Sequence, residues 1–571
     1  MHIKNTLKSK YKQLVPLFHF ILTFIWDRRF FVYIDNWDCW YTDVRNSGVI
    51  SDINETRLVY LLSRIFAFFI ICLIWKIVFF VMDGNVLRED LVLLSAVFCI
   101  GLICIAFIFP NIPEIGLDNY TNYLMARRFL PTYWHSIYTG ALYGGCLMII
   151  PHPFGIHIFQ WLFLFCSTGY IYLKIREFYG DTMIRYVPLL LLLLPESYYL
   201  AFIPYRNNYF TILVMLYISY LFFRVKRKDP VVTKKEILCF AGVSSFIMVW
   251  RSEGILYGLG GMIIYTAFIL NNGKIVFKRM LYTLSGFVIL FIALNRIQAI
   301  GSEKYYGRDY MMINTTNVLR SIFNDPEANL TYRNAEYDVE HIDAVVPVEA
   351  LREYGMEGFR KNNWTNGRAD FNQTLASDDM ADAYMKAYYR IILHNLDDYL
   401  DVQINNLYES LQLPATHKVY IYDGDPMISL EDYEYRIWEE GAEEVKGSYG
   451  TGRWEKSKIR MVLGIIINEI ISIWRGLIIN SGMNRIFHAL TLLGACVTSV
   501  FEFLKWIREK GKEHLALSFS FMVILGECAA VLLFMPEGRP SYMYPVLYAG
   551  YTLFILYWLE KSGTWKAATG R

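Results

Sequence analysis

The chain has 571 residues, 55% of them drawn from AVILMFWYC and 17% aromatic, with a mean hydropathy of +0.29. Soluble domains are about 45 to 50% apolar even with glycine counted, so the composition excludes an ordinary soluble protein and predicts an α-helical polytopic membrane protein. The formal net charge is +2, and Lys and Arg fall in short blocks beside apolar runs where orientation signals belong, so no basic patch points to a nucleic-acid partner.

At the N-terminus Lys4, Lys8, Lys10 and Lys12 precede a short apolar run with no small-residue cleavage site after it, which reads as an uncleaved first segment. Apolar runs follow at 15–34, 59–82, 91–110, 156–173, 183–202, 209–223, 237–250, 255–270, 280–294, 486–504, 515–535 and 541–559. They predict about 12 crossings. Asp27, Arg28 and Arg29 interrupt the first, and charge within a bilayer is costly. With the N-terminus cytoplasmic and all runs crossing, Lys174, Arg176 and Arg185 share one cytoplasmic loop, and Arg224, Lys226, Arg227, Lys228, Lys234 and Lys235 share the next. Lys274, Lys278 and Arg279, then Lys505, Arg508, Lys510 and Lys512, follow the same rule. The expected protein is therefore multi-pass in the plasma membrane, with both termini cytoplasmic.

Two apolar stretches must then stay on one side. Residues 137–151 are short, Gly-rich and bracketed by Pro, as a juxtamembrane or re-entrant helix would be. Residues 460–480 carry Asn468, Ser472 and Arg475 as a polar stripe on an apolar helix, which fits the interface. Between residues 297 and 458 lie more than half of the Asp and Glu, and 297–485 reads as a mostly helical extracytoplasmic domain, with Met380, Tyr384, Ala387, Ile391 and His394 roughly on one helical face. The division is then 1–58 (basic segment, first span and outer loop), 59–296 (transmembrane bundle with the outer loop 111–155), 297–485, and 486–571 (last spans and tail). Nine cysteines lie almost all inside apolar runs without CxxC spacing; free buried thiols fit best. His152 with His157 reads as ordinary interfacial histidine rather than a metal site.

The expected topology gathers charges at outer boundaries: Glu114, Asp118, Arg127, Arg128, Glu196, Arg206, Arg251, Glu253, Glu537 and Arg539. Glu114 and Asp118 are four residues apart just beyond a span and share a face if helical. Arg206, Arg251 and Arg539 sit in three separate turns, and Arg suits bidentate binding of phosphate; Arg251 and Glu253 are also spaced to pair locally. A carboxylate beside arginines at an outer leaflet suits transfer of a sugar from a polyprenyl-phosphate donor. The carboxylate takes the acceptor proton and the arginines hold the departing phosphate.

The stretches PEIGLDNYTNYLMARRFL, WHSIYTGALYGGCLMIIPHPFGIHIFQ, IPYRNNYFTILVML, VWRSEGILYGLGG and EGRPSYMYPVLYAGY resemble the GT-C superfamily of integral membrane glycosyltransferases, in particular a bacterial, uncharacterised GT-C-like group. The resemblance covers about 91–294 and 486–559 and leaves 297–485 unmatched. It implies a GT-C-like bundle and an inverting transferase acting on a lipid-phosphate sugar, with an envelope glycan or glycolipid as acceptor and membrane lipids around it. It places Asp118 as first-loop catalytic acid, supported by Glu114, and Arg539 near the lipid phosphate; Arg206, Arg251, Glu253 and His135 fall among the substrate-binding positions. This chain has Arg206 and Asn207 where the group usually carries Lys-Asp, and Arg251, Ser252, Glu253, Gly254 where it usually carries Arg-His-Asn-Gly. Some relatives bind a divalent metal through first-loop acids, which the single acid pair here does not require. Two other readings are a polymerase of polyprenyl-diphosphate-linked repeat units and a lipid or polysaccharide transporter. Transporters commonly show internal repeats; none relates the halves here, and the charged motifs share one face, which favours the enzyme.

Overall fold

The computed structural model describes residues 2–25, 53–108, 122–123, 126, 129, 131, 136–152, 154–194, 196–226, 232–251, 253–269, 276–302, 307–353, 378–411, 457–480, 483–534 and 540–562. Among the described residues every regular element is helical. The chain begins with α1 (His2–Leu22), α2 (Ile53–Met82), α3 (Arg88–Ile108), α4 (Ile137–Ile149) and α5 (Phe154–Tyr179). A broken segment of 3-10 turns and two short helices, α6 (Val187–Leu190) and α7 (Ser197–Phe202), leads to α8 (Arg206–Lys226), α9 (Lys234–Trp250), α10 (Gly254–Ile264) and α11 (Val276–Ser302). The polar region forms α12 (Gly307–Asn324), α13 (Ala335–Asp343), α14 (Val348–Glu353), α15 (Asp378–His394) and α16 (Leu396–Ser410). The chain closes with α17 (Lys458–Asn480), α18 (Met483–Glu509), α19 (Lys512–Phe534) and α20 (Pro540–Lys561).

Seven described helices are long and apolar enough to cross a membrane: Thr56–Met82, Arg88–Phe107, Phe154–Tyr179, Arg206–Lys226, Lys278–Ile300, Arg485–Glu509 and Lys512–Leu533. Their length and composition mark a helical membrane protein, since about 20 apolar residues span the hydrocarbon core. Four other apolar helical stretches are shorter: Tyr11–Ile25, Ile137–Ile149, Met183–Leu193 and Gly254–Phe268. Five of the 12 expected crossings, 15–34, 183–202, 237–250, 255–270 and 541–559, are not among the seven, and two of these take another form. The run 183–202 is not one helix: Pro188 opens the short α6, its ring fixing φ in a first turn but offering no N–H, and Glu196 stands between α6 and α7. The run 255–270 is the short α10 followed by a π-helical turn, Tyr265–Ile269. Of the first run, 15–34, the part beyond Ile25 lies outside the described residues; α1 itself lies along α2, with His19 accepting from Trp75 at 3.2 Å.

The bundle has two chemically different ends. At one, α2, α5, α8, α18 and α20 finish while α3, α9 and α19 begin. There Lys12 pairs with Asp83, Arg176 with Glu89 at 2.8 Å, Arg224 with Glu236 at 2.6 Å, Lys226 with Glu560, and Lys561 with Glu502 at 2.8 Å. These are the basic loops that the charge pattern groups together. At the far end α8 and α10 begin and α9 and α19 finish, which brings together Arg206, Arg251 and Glu253.

The segment at 137–151 forms α4, buried along Ile137–Met148 and packed on α2. Gly145 allows the close approach, because a Cβ there would stand 2.9 Å from the Ser63 carbonyl and the Ala67 nitrogen. Small residues at such crossings let two helix backbones touch. Residues Val318, Leu319, Ile322, Ile342, Tyr384, Ala387 and Ile391 build a second, separate core. Of the expected α15 face, Tyr384, Ala387 and Ile391 are fully buried and Met380 packs at the edge, while His394 is exposed and stacks on Tyr332 at 4.0 Å. Helix α16 joins the two cores: Val402 belongs to the second, and Leu407 packs on the first, as does Leu411 just beyond the helix. Helix α17 rests on α3 through Gly464 and leaves Ile465, Ile470, Ile473 and Leu477 exposed; the side chains of Asn468, Ser472 and Arg475 are outside the described set.

Candidate functional site

The described part of the site is built where α9 stops and α10 starts. Trp250 ends α9, and Arg251 takes an extended backbone, φ −144° and ψ 147°. Glu253 returns to helical geometry, and the Gly254 amide bonds the Arg251 carbonyl at 3.0 Å. A side chain at Gly254 would strike the Ile247 carbonyl and the Phe210 ring, so this turn requires glycine. It holds Arg251 and Glu253 pointing together.

Arg251 Nε donates to Glu253 Oε2 at 3.1 Å, and Nη2 donates to Oε1. This is the two-point Arg–carboxylate pairing that the short spacing allows. The guanidinium lies over two rings, 5.9 Å from Phe210 and 5.7 Å from Tyr542, which join α8 and α20 to the turn. Burial works against the charge on Glu253, but the Arg251 guanidinium, the bonds it donates and the charge of Arg206 outweigh it and hold the carboxyl down at about 2. Burial likewise opposes the charge on Arg251, and Glu253 more than restores it, against repulsion from Arg206. Arg206, at the start of α8, thus acts on both members of the pair. The remaining donor, Arg251 Nη1, is buried and has no hydrogen-bond partner among the described residues.

Two residues that the sequence reading did not single out complete this region. Glu527 on α19 is 1% exposed, and neither of its carboxyl oxygens has a hydrogen-bond partner among the described residues. It lies within electrostatic reach of Glu253, Arg251 and Tyr257. An ionisable residue inside a membrane helix is a functional position by default, and its place in a mostly apolar run was the available signal. Tyr257, one turn along α10, lines the near end of a narrow, mostly apolar cleft of about 40 Å³ between α8, α10 and α19, which runs past Leu221, Ile264 and Leu517 to Lys226 and Glu513 at the basic end.

Arg206, Arg251 and Glu253 are therefore brought together. Glu114, Asp118, His135 and Arg539, with Arg127, Arg128 and Glu537, lie outside the described residues. Glu196, grouped with them by sequence, is elsewhere: it bonds His488. His157 bonds the Phe202 carbonyl at 2.8 Å, and no cluster of three His, Cys, Asp or Glu able to hold a metal occurs among the described residues. No family model, curated protein or solved structure matches the chain.

Proposed function

We propose that the protein is an integral membrane glycosyltransferase that moves a sugar from a polyprenyl-phosphate donor to an envelope glycan or glycolipid, with the far end of the bundle facing outward and both termini cytoplasmic. In this reading the short apolar helices join the long ones in a GT-C-like bundle of about 12 segments, and 297–485 is extracytoplasmic. The observation that carries it is the buried Arg251 Nη1, a donor without a described partner, beside Arg206 and the Glu253 carboxylate. Counted over Arg206, Arg251 and Glu253, the group retains one positive charge, and guanidinium forks suit phosphate.

In this mechanism Asp118 takes the acceptor hydroxyl proton, Glu114 supports it, and Arg206, Arg251 and Arg539 hold the leaving lipid phosphate, while Glu253 orients Arg251. Arg206→Lys keeps the charge and loses the fork, so affinity for a short-chain isoprenyl phosphate should fall about tenfold, or ~1.4 kcal/mol, with Arg539→Lys behaving alike. Titration of the purified protein with that lipid phosphate measures it. Unchanged affinity in both Arg206→Ala and Arg539→Ala would remove these residues from phosphate binding.

A further inference from the structure

Helix α16 leaves part of its apolar face open at the edge of the membrane bundle. Leu396, Leu400, Ile404, Leu407 and Leu411 recur every three or four residues and so share one face. At the C-terminal end of that face Leu407 and Leu411 pack on the bundle core. Over the rest of it Leu396, Leu400 and Ile404 are 49%, 50% and 57% exposed. One continuous face thus meets the bundle at one end and projects beyond it at the other. Asp401 and Asn405, also exposed, fall on the side turned away from it.

Hydrogen bonds fix the height of the helix. Tyr399 donates to the Leu533 carbonyl at 3.1 Å, and Arg485 donates to the Tyr408 hydroxyl at 2.8 Å. Just beyond the helix, His488 Nδ1 lies 2.8 Å from the Leu411 carbonyl. Leu533 ends one helix that is long and apolar enough to cross the membrane, and Arg485 begins another. Because α18 finishes at the basic end and α19 begins there, Leu533 and Arg485 both mark the opposite boundary. From Tyr399 to Tyr408 a helix advances about 13 Å at 1.5 Å per residue. Helix α16 is therefore held at that boundary at two separated points and runs along it.

A contiguous apolar strip on a surface marks a contact, and the position of this one names the contact. It continues a face already packed on membrane-spanning helices, at the level where those helices leave the bilayer, so what lies beside them there is lipid. We propose that α16 is an amphipathic helix seated in the membrane boundary, with Leu396, Leu400 and Ile404 among phospholipid acyl chains and Asp401 and Asn405 toward water. Such a helix buries its apolar face at the junction of headgroups and chains, a depth that suits the amphipathic rings of Tyr399 and Tyr408. The second core, which α16 shares through Val402, is then fixed to lipid as well as to the bundle. The inference rests on α18 and α19 crossing the bilayer and does not depend on the proposed transferase chemistry.

Photocrosslinking of the full chain in phosphatidylcholine nanodiscs tests it, with benzoylphenylalanine placed singly at Leu400, Ile404 or Asn405. All three side chains are exposed, so the probe displaces no packed group. Phospholipid adducts, weighed by mass spectrometry, should form at Leu400 and at Ile404 about tenfold more than at Asn405. No phospholipid adduct at Leu400 and Ile404, or as much at Asn405, would overturn the seat in lipid. So would crosslinks from Leu400 and Ile404 to a second copy, or to another part of the same chain, in place of lipid.

Discussion

Asp118→Asn is expected to abolish sugar transfer while leaving expression and folding in detergent intact. The substitution is nearly isosteric and removes only the ability to take a proton. A positioned general base contributes about 100- to 10,000-fold in rate, whereas loss of a solvated surface charge changes stability by only about half a kcal/mol. The two roles open to a carboxylate just beyond a span therefore differ widely in outcome. Glu114→Gln should reduce transfer less, because its partner keeps the chemistry. Near-normal product formation by folded Asp118→Asn would sink the assignment, and equal loss in both variants would point to a shared metal or to substrate positioning.

Arg251→Ala should be the most destabilising change at the described site. It removes the two bonds that Arg251 donates to Glu253 and empties the space over Phe210 and Tyr542. Breaking a buried ion pair costs about 3 to 5 kcal/mol, and because the Glu253 side chain keeps 21% of its exposure, roughly 3 kcal/mol is the expectation. Thermal unfolding in detergent measures the loss. Adding Glu253→Gln should recover part of it, since the side chain is then no longer a buried carboxylate deprived of the bonds Arg251 donated. The pH dependence has a definite sign. With Glu253 held at about 2, the pair contributes fully above the ordinary carboxylate range and is lost as pH falls toward that value. Destabilisation of Arg251→Ala no greater than that of an exposed substitution would show that the pair is incidental.

How far the sequence revealed this architecture depended on how local each determinant was. The helical class, the basic end and the short Gly-rich α4 were legible, because apolar length, cation blocks and closely spaced glycines are written within one stretch. The pairing of Arg251 with Glu253 was legible for the same reason. The breaks within 183–202 and 255–270 were harder: a hydropathy sum over such runs resembles that of a continuous span, and Pro188 is tolerated at the start of a helix as readily as it interrupts one. The link from Glu196 to His488 bridges 292 positions and has no local signature at all. Glu527 was visible as an acid in an apolar run, but its nearness to Arg251 arises only when α10 packs on α19.

The central claim is that the protein consumes a polyprenyl-phosphate sugar. Its most direct test is to reconstitute the purified full chain in liposomes with a panel of labelled polyprenyl-phosphate sugars and an envelope extract as acceptor, and to measure free lipid phosphate and label transferred. The account predicts that at least one donor is converted, with lipid phosphate and glycosylated product appearing together, and that conversion disappears in Asp118→Asn. No conversion of any donor by folded protein that binds isoprenyl phosphate, or equal conversion by both proteins, would contradict it.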